Sequence, residues 1–188
     1  MDSNKLNICT VTLGTDAKIV NENLIEFNKL YNDVKLYIVC PKGDVDIFKE
    51  SLIEKNYEII TEDELIEFKD FKNIFEESSK DLEYKEEFAN RLQWYYALFL
   101  KFFFIHRFFE NNGSKIVIWE GDSVILKKIK FFKKDNSLLY VWVHYYHDIF
   151  YKTCKEMLGA LPKYYGSFIT MFGSLTNDEF DYLNKSLG

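Results

Sequence analysis

The stretch LNICTVTLGTDAKIVNENLIEFNKLYNDVKLYIVCP, residues 6–41, decides the fold class of this chain. It begins with a β-rich run, residues 6–14, that ends in a glycine, and it closes with a second β-rich run, residues 34–41, that proline stops. Asp16 is placed to cap a helix between the two runs. Four apolar residues recur there at the spacing of one helix face: Val20, Leu24, Phe27 and Tyr31.

The same alternation continues beyond residue 41. Residues 44–56, DVDIFKESLIEKN, predict a second helix, and residues 57–61, YEIIT, a third strand. Thr61 and Glu64 form a T-x-x-E capping box that opens a further short helix. Strands and helices in alternation predict an α/β fold with a mostly parallel central sheet and helices on both faces.

Composition limits the classes of protein to which this chain can belong. A chain of 188 residues is most simply one domain, residues 1–188, and 47% hydrophobic with 18% aromatic residues argues against disorder. A net charge of −6 counts against a nucleic-acid partner. The three cysteines include no C-x-x-C pair, and the N-terminus has no signal-peptide pattern, so we expect a reducing, cytoplasmic location.

Residues 94–109, WYYALFLKFFFIHRFF, are strongly apolar but carry Lys101, His106 and Arg107. A membrane-spanning helix needs about 20 mainly apolar residues. We therefore expect no transmembrane segment but a long buried helix from about Tyr84 to Glu110, with peripheral membrane association as the alternative. The charged, weakly patterned stretch before it, residues 66–90, predicts a solvated surface excursion or, alternatively, a mobile lid.

Polar residues on this long helix fall within a narrow arc at 100° per residue. A polar stripe on a buried helix faces either an internal hydrogen-bond network or a ligand pocket, and the pattern alone leaves both open. The stripe consists of Asn90, Gln93, Ala97, Lys101 and Phe104.

Two places mark the expected ligand edge of the sheet. Ligands of open α/β sheets bind at the carboxyl ends of the strands, which here are the segment Thr10, Val11 and Thr12 and the acidic turn 62–63. A later run, KIVIWEGDSVILKKI (residues 115–129), is a strand that ends in Glu120-Gly121-Asp122. In an extended chain the two carboxylates would point to one face, where they suit a divalent cation that carries diphosphate oxygens. An ordinary acidic turn is the alternative.

Three segments together resemble a known family. They are RLQWYYALFLKFF (91–103), KIVIWEGDSVILKKIKFF (115–132) and EMLGALPKYYGSFITMFGSLTNDEFDYL (156–183). In their order they are similar to the small GT-A-fold glycosyltransferases of the DUF6492-like group. Four residues match that family's helix motif, and Glu120-Gly121-Asp122 stands where its D-x-D motif is expected; the helix matches are Arg91, Trp94, Tyr95 and Lys101.

The resemblance implies a GT-A fold with a nucleotide-binding half at about 1–126 and an acceptor half at about 127–188. It implies metal-dependent transfer of a sugar from a nucleoside-diphosphate sugar, most often a UDP-sugar, to a glycan or other hydroxyl acceptor. The divalent metal, Mn²⁺ or Mg²⁺, would lie on Asp122 and Glu120. Lys101 would add positive charge at the diphosphate, and Asn90 and Gln93 would hydrogen-bond the donor.

The sequence departs from the family pattern at three places. Glu120 is one methylene longer than the expected aspartate, Ala97 and Leu98 replace paired glutamines, and no acid occurs at Lys163 or Tyr164. The remaining candidates for a catalytic base lie in WVHYYHDIFY (142–151): His144, His147 and Asp148. For these three, packing among aromatic rings or capping of a helix is the alternative.

Two other functions stay open at this point. The altered motif also fits a catalytically weak nucleotide-sugar-binding module. A metal-dependent nuclease built on Glu120 and Asp122 is the second alternative, against which the net charge of −6 counts.

Overall fold

The computed structural model describes residues 5–78, 91–111, 113–132 and 172–187. Within these residues the strands are β1 (Leu6–Val11), β2 (Val34–Cys40), β3 (Tyr57–Thr61), β4 (Lys115–Trp119) and β5 (Phe172–Thr176). The helices are α1 (Ala17–Leu30), α2 (Val45–Ser51), α3 (Glu62–Leu65), α4 (Phe68–Ser78), α5 (Leu92–Glu110) and α6 (Asn177–Leu187). Short 3-10 turns precede α1 and α2, at Gly14–Asp16 and Lys42–Asp44.

The described strands form one sheet in the order β3-β2-β1-β4-β5. The pairs β1–β2, β2–β3 and β1–β4 are parallel, and β5 runs antiparallel to β4. This α/β architecture is consistent with a Rossmann-like fold, and it confirms the mostly parallel sheet that the alternation of strands and helices predicts.

Each face of the sheet carries its own hydrophobic core. Successive strand residues point to opposite faces, so that Ile8 joins the core beneath α1 and α2, whereas Cys9 joins the core beneath α5. On the first face the fully buried residues include Leu24 and Phe27 of α1. Helices therefore cover both faces, as predicted.

The start of α1 differs from the prediction. Val20, Leu24 and Phe27 are buried along the helix as their spacing predicts. Asp16 stands at the N-cap position but its side chain makes no cap hydrogen bond. Its carboxylate instead accepts a hydrogen bond from Thr12 Oγ1 at 2.8 Å, because the 3-10 turn brings the end of β1 beside it.

The capping box predicted at Thr61 and Glu64 is confirmed. The Glu64 carboxylate accepts the Thr61 backbone N–H at 3.0 Å, and α3 begins directly after β3. The second helix is shorter than predicted, since α2 ends at Ser51 and the chain turns into β3.

The long helix α5 begins at Leu92, later than the predicted start at Tyr84. Arg91 precedes it with φ −110° and ψ 15°, outside the α-helical geometry. The helix is also not buried all round, because the sheet covers one side of it only. Two of its residues, Leu100 and Phe104, face the sheet and are buried. On the outward side, Trp94 is 50% exposed, and Phe99 and Phe102 are each 40% exposed to the space left by the described residues.

No helix among the described residues combines the length and the hydropathy that a membrane crossing requires.

In the first half of the predicted solvated excursion, residues 66–90, most described side chains are exposed as predicted, but the chain forms a regular helix there. Residues 68–78 form α4, and Phe71 is buried against the ring of Tyr96 at a centroid distance of 5.2 Å. One apolar stripe among many charges was enough to fix the helix on α5. Residues 79–90 lie outside the described part.

Candidate functional site

The candidate site lies where the chain order of the sheet reverses. From β1 the chain passes to β2 on one side, and β4 pairs with β1 on the other. The parallel register Ile8 to Val117 and Cys9 to Ile118 brings the carboxyl ends of β1 and β4 together. Such a switch point is where open α/β sheets bind ligands.

The acidic segment after β4 is a tight turn. The backbone N–H of Ser123 donates to the carbonyl of Glu120 at 3.1 Å, which closes a four-residue turn. The expectation of an extended chain with both carboxylates on one face is therefore wrong, since strand geometry ends at Trp119.

Gly121 allows this turn to press against the end of β1. A Cβ atom at position 121 would lie 2.6 Å from Thr12 Oγ1, 2.8 Å from Thr12 Cβ and 3.0 Å from Thr10 Oγ1. Real Cβ atoms do not approach as closely as 2.6 or 2.8 Å, so any residue larger than glycine would force Thr12 or the turn to shift. The turn and the two threonines therefore pack together at the carboxyl ends of β1 and β4, and this is the edge of the sheet that forms the candidate site.

The hydroxyl of Thr10 is the unusual polar atom of this edge. Thr10 is 2% exposed, and its Oγ1 makes no hydrogen bond within the described residues. Thr12 Oγ1, in contrast, donates to Asp16. A buried hydroxyl without a partner is costly, and a bound water or ion at this edge would satisfy it.

Lys101 and Glu120, for which the sequence predicted separate roles, form an ion pair at this site. Lys101 Nζ of α5 lies 2.6 and 2.8 Å from the two carboxylate oxygens of Glu120. The Lys101 side chain is 15% exposed and that of Glu120 is 41% exposed. In this state the ammonium is bound to the turn, so a phosphate group would have to share or displace that contact.

The Lys101 ammonium also acts on the strand beneath it. Burial raises the pKa of the Cys9 thiol far above its ordinary value, and the nearby charge of Lys101 lowers it in part. The polar stripe of α5 thus runs from the exposed Gln93, past the half-buried Ala97, to Lys101 and the buried Phe104.

Helix α1 holds the turn through a residue that sequence reasoning missed. Asn23 is buried, donates from Nδ2 to the carbonyl of Ser123 at 2.6 Å and accepts the N–H of Ile125 at 3.0 Å. Trp119 Nε1 donates to the same Ser123 carbonyl at 2.9 Å. The available signal was an asparagine next to Leu24 on the inward side of an amphipathic helix.

A second contact fixes the chain after the turn. The hydroxyl of Tyr31 donates to the carbonyl of Ile129 at 2.7 Å and accepts the Ile129 N–H at 2.8 Å. Residues 123–129 are thereby clamped along α1 at two points.

The acidic turn fits a divalent cation only together with other oxygen donors. The Asp122 carboxylate is exposed and accepts a hydrogen bond from Ser123 Oγ at 3.3 Å. In the part of the chain that the structure describes, no group of three or more Cys, His, Asp or Glu side chains is arranged to hold a metal. Mg²⁺ and similar ions bind through one or two carboxylates plus waters and phosphates. The exposed Asp122 carboxylate suits such an ion, whereas both oxygens of Glu120 contact Lys101 and would have to leave it.

A second acidic group lies at the carboxyl ends of β2 and β3. Asp44 Oδ2 accepts the Gly14 N–H at 2.7 Å. Burial raises the pKa of Glu62, and the charges of Asp44 and Asp63 raise it further. The predicted acidic turn 62–63 is thus close to the 3-10 turn that follows β1.

Of the remaining predicted residues, one faces away from this edge and four are not described by the structure. Val11 points to the opposite face of the sheet from Thr10 and Thr12 and packs against the α5 core. Four predicted residues lie outside the described part of the chain: Asn90, His144, His147 and Asp148.

Comparison with known proteins adds no relative: no family model matches this chain, and no curated protein matches it significantly.

Proposed function

We propose that this chain is a metal-dependent glycosyltransferase. It binds a nucleoside-diphosphate sugar, with a UDP-sugar as first candidate, and transfers the sugar to a glycan or other hydroxyl acceptor. The observation that carries the proposal is the acidic turn, seated at the switch point of the sheet and pressed by Gly121 against Thr10 and Thr12. The resemblance of the three sequence segments to GT-A glycosyltransferases supports the reaction class.

Each part of the edge has a role in this proposal. The segment from Thr10 to Thr12 binds the base and ribose, as strand ends do in open α/β sheets. Asp122, with Glu120 beside it, holds the divalent ion, which when bound supplies positive charge to the leaving diphosphate.

The ion pair with Glu120 determines how Lys101 contributes to binding the donor diphosphate. Two short contacts to Glu120 hold the ammonium at the inner side of the turn. A diphosphate that reaches the turn meets this ammonium as a hydrogen-bond donor, and charge-assisted bonds of this kind favour the charged leaving group. Because Glu120 is more exposed than Lys101, it is the partner that can move away.

The same ion pair also favours the second candidate, a nucleotide-sugar-binding module without turnover. If Glu120 stays paired with Lys101 when the donor binds, Asp122 is the remaining carboxylate of the turn. The diphosphate then meets less positive charge, because the Lys101 ammonium stays neutralised by Glu120. Hydrolysis of the donor in the absence of an acceptor separates the two functions, since a module binds the donor but does not cleave it.

The test is a thermal-shift panel of nucleoside diphosphates and nucleotide sugars, each with and without Mn²⁺. A ligand at 100 times its Kd stabilises a protein by about 2.7 kcal/mol, which is readily measured. We expect a uridine compound with Mn²⁺ to give the largest shift. A panel in which no nucleotide raises the melting temperature contradicts the proposal.

Substitutions at the turn make the test specific. Asp122→Ala is expected to abolish the metal-dependent shift and the transfer, and Glu120→Ala to weaken them less. Asp46→Ala is the control, because Asp46 is an exposed acid on α2. Turnover of the Asp122→Ala protein at the wild-type rate would refute the assignment, as would a bound nucleotide whose base lies more than about 8 Å from residues 10–12, well beyond hydrogen-bond reach.

A further inference from the structure

A cleft of about 490 Å³ opens at the other end of the sheet. It lies on the α5 face, near the amino ends of the strands, between the last two turns of α5 and the edge of the sheet that β3 forms. Small-molecule sites usually have volumes of about 300–1,000 Å³. The residues of the acidic turn do not line this cleft, so it is separate from the candidate glycosyltransferase site.

The floor of the cleft is aromatic and fixed. The ring of Tyr37 lies 5.2 Å from that of Phe104 and 5.8 Å from that of Phe108, measured between centroids. Phe104 and Phe108 stack on each other at 6.1 Å. Phe104 and Phe108 are buried, so they hold Tyr37 in place, and the half-buried Tyr37 is the ring that a flat ligand can contact. Lys35 Nζ lies 4.7 Å from the centroid of the same ring.

Two asparagines add hydrogen-bonding groups at the wall. Asn7 Nδ2 donates to the Lys115 carbonyl at 3.2 Å, and Asn111 Nδ2 donates to the Arg107 carbonyl at 2.9 Å. Both bonds use the amide nitrogen, so each Oδ1 can accept a hydrogen bond from a ligand.

The charges around the cleft favour an anion. Lys5 is exposed and forms no ion pair with another described residue, and Arg107 reaches Glu64 through one nitrogen at 3.6 Å, which leaves further guanidinium donors. Glu58, the acid in the lining, is bound by Lys35 at 2.6 Å. Burial raises the pKa of Tyr37, so its phenol stays neutral and adds no negative charge.

We propose that this cleft binds a small aromatic anion: a flat ring with one carboxylate or phosphate group and a hydrogen-bond donor on the ring. The ring packs against Tyr37, which Phe104 and Phe108 support from beneath, the acidic group meets Lys5 and Arg107, and the ring donor reaches an asparagine Oδ1. This inference does not depend on the glycosyltransferase proposal.

The probe is 4-hydroxybenzoate, and 4-hydroxybenzamide is its matched neutral control. Both have the same ring, hydroxyl and shape, but only the first carries a charge. Titration followed by ligand-observed NMR and calorimetry should give a Kd for 4-hydroxybenzoate on the order of 1 mM or tighter, as for a well-placed ligand of this size. The amide should bind at least tenfold more weakly.

Three variants locate the binding. Lys5→Gln and Arg107→Gln should each weaken 4-hydroxybenzoate at least fivefold and leave the amide unaffected. Ser114→Trp should block both ligands, because Ser114 is an exposed residue of the cleft lining. Lys18→Gln is the control, since Lys18 is an exposed lysine on α1, on the other face of the sheet.

Three results would overturn the proposal. It fails if 4-hydroxybenzoate does not bind at 10 times the expected Kd, or if the amide binds as tightly. It also fails if Lys18→Gln weakens binding as much as Lys5→Gln does. Should Arg107→Gln unfold, Lys5→Gln and Ser114→Trp still decide the outcome, with thermal unfolding as the check that both are folded.

Discussion

At the scale of single residues, the Lys101–Glu120 pair is unequal. The ammonium is mostly buried beneath the turn, whereas the carboxylate is 41% exposed. Losing one partner therefore has a different effect on each side: the carboxylate left alone can be hydrated, but the ammonium left alone cannot be hydrated to the same degree.

The first prediction follows from this asymmetry. Lys101→Met keeps the apolar stem and should lower the free energy of unfolding by less than about 1 kcal/mol. Glu120→Ala leaves the buried ammonium without its partner and should lower it by about 1.5–3 kcal/mol. Urea unfolding of both variants and of the double variant measures the effects and their coupling.

The exposed pair Lys29–Glu26, at 2.6 Å, is the matched control. A pair on the surface of a helix should show a coupling of about 0.3–0.5 kcal/mol. If Lys101→Met lowers the free energy of unfolding more than Glu120→Ala does, the ammonium is not the group that needs its partner, and the proposed asymmetry is wrong.

The second prediction concerns the close approach at Gly121. Gly121→Ala places a methyl group against Thr12 and should lower the free energy of unfolding by about 1–3 kcal/mol, the usual effect of overpacking. Gly43→Ala is the control, because a Cβ there meets nothing within 4 Å. Its stability should stay within about 0.5 kcal/mol of the wild type, as for a surface substitution. Thermal or urea unfolding compares the two, and equal stability of both variants contradicts the packing.

At the scale of elements, α1 is both a wall of the core and the support of the site. Its apolar side packs on the sheet, while Asn23 and Tyr31, the residue directly after the helix, bind the backbone of residues 123–129. The turn after β4 is therefore positioned from the side by a helix, and not only by the strand that leads into it.

The third prediction tests this support. Asn23→Ala removes the partner of the buried Ile125 N–H and of the Ser123 carbonyl, and should lower the free energy of unfolding by about 1–3 kcal/mol. Hydrogen exchange at the Ile125 amide should become faster than that of amides within β1. Asn21→Ala is the control, since Asn21 makes one exposed hydrogen bond, to the Ile53 N–H. Unchanged protection at Ile125 in the Asn23→Ala protein would show that α1 does not hold the turn.

At the scale of the whole molecule, the two cores bury groups that ionise at alkaline pH. Burial raises the pKa of Cys40 to about 12, helped by the charges of Asp44 and Glu62, and it raises that of Cys9 as well. The pKa of Tyr96, whose hydroxyl donates to the Ile66 carbonyl at 2.8 Å, is also raised to about 12, first by burial. The folded protein keeps these protons, whereas the unfolded chain releases them.

The fourth prediction is a loss of stability on the alkaline side. Unfolded thiols ionise near pH 8.5, so above that pH the unfolded state binds fewer protons than the folded state, and stability falls as the pH rises. Each buried thiol should contribute up to about 1.4 kcal/mol per pH unit. Urea unfolding between pH 7.5 and 10.5 measures the slope. Cys40→Ala should make the slope shallower, and a flat profile across this range would contradict the burial of both thiols.

Local chemistry was enough to predict the architecture. The spacing of Val20, Leu24 and Phe27, the capping box at Thr61 and the proline after β2 act over a few residues, so their effect is visible in the chain itself. Alternating strands and helices then leave few arrangements of the sheet. The position of the candidate site at the strand ends follows from the same reasoning.

Only the tertiary structure decided which side chains meet. Lys101 and Glu120 are 19 residues apart, and Asn23 and Ser123 are 100 apart, so no local period reports either contact. The rotation of α5 on the sheet sets which of its residues are exposed, and the close packing of β1 against β4 sets the need for Gly121. These contacts depend on how whole elements pack, which is why the sequence alone predicted a polar stripe and an acidic motif but not the ion pair that joins them.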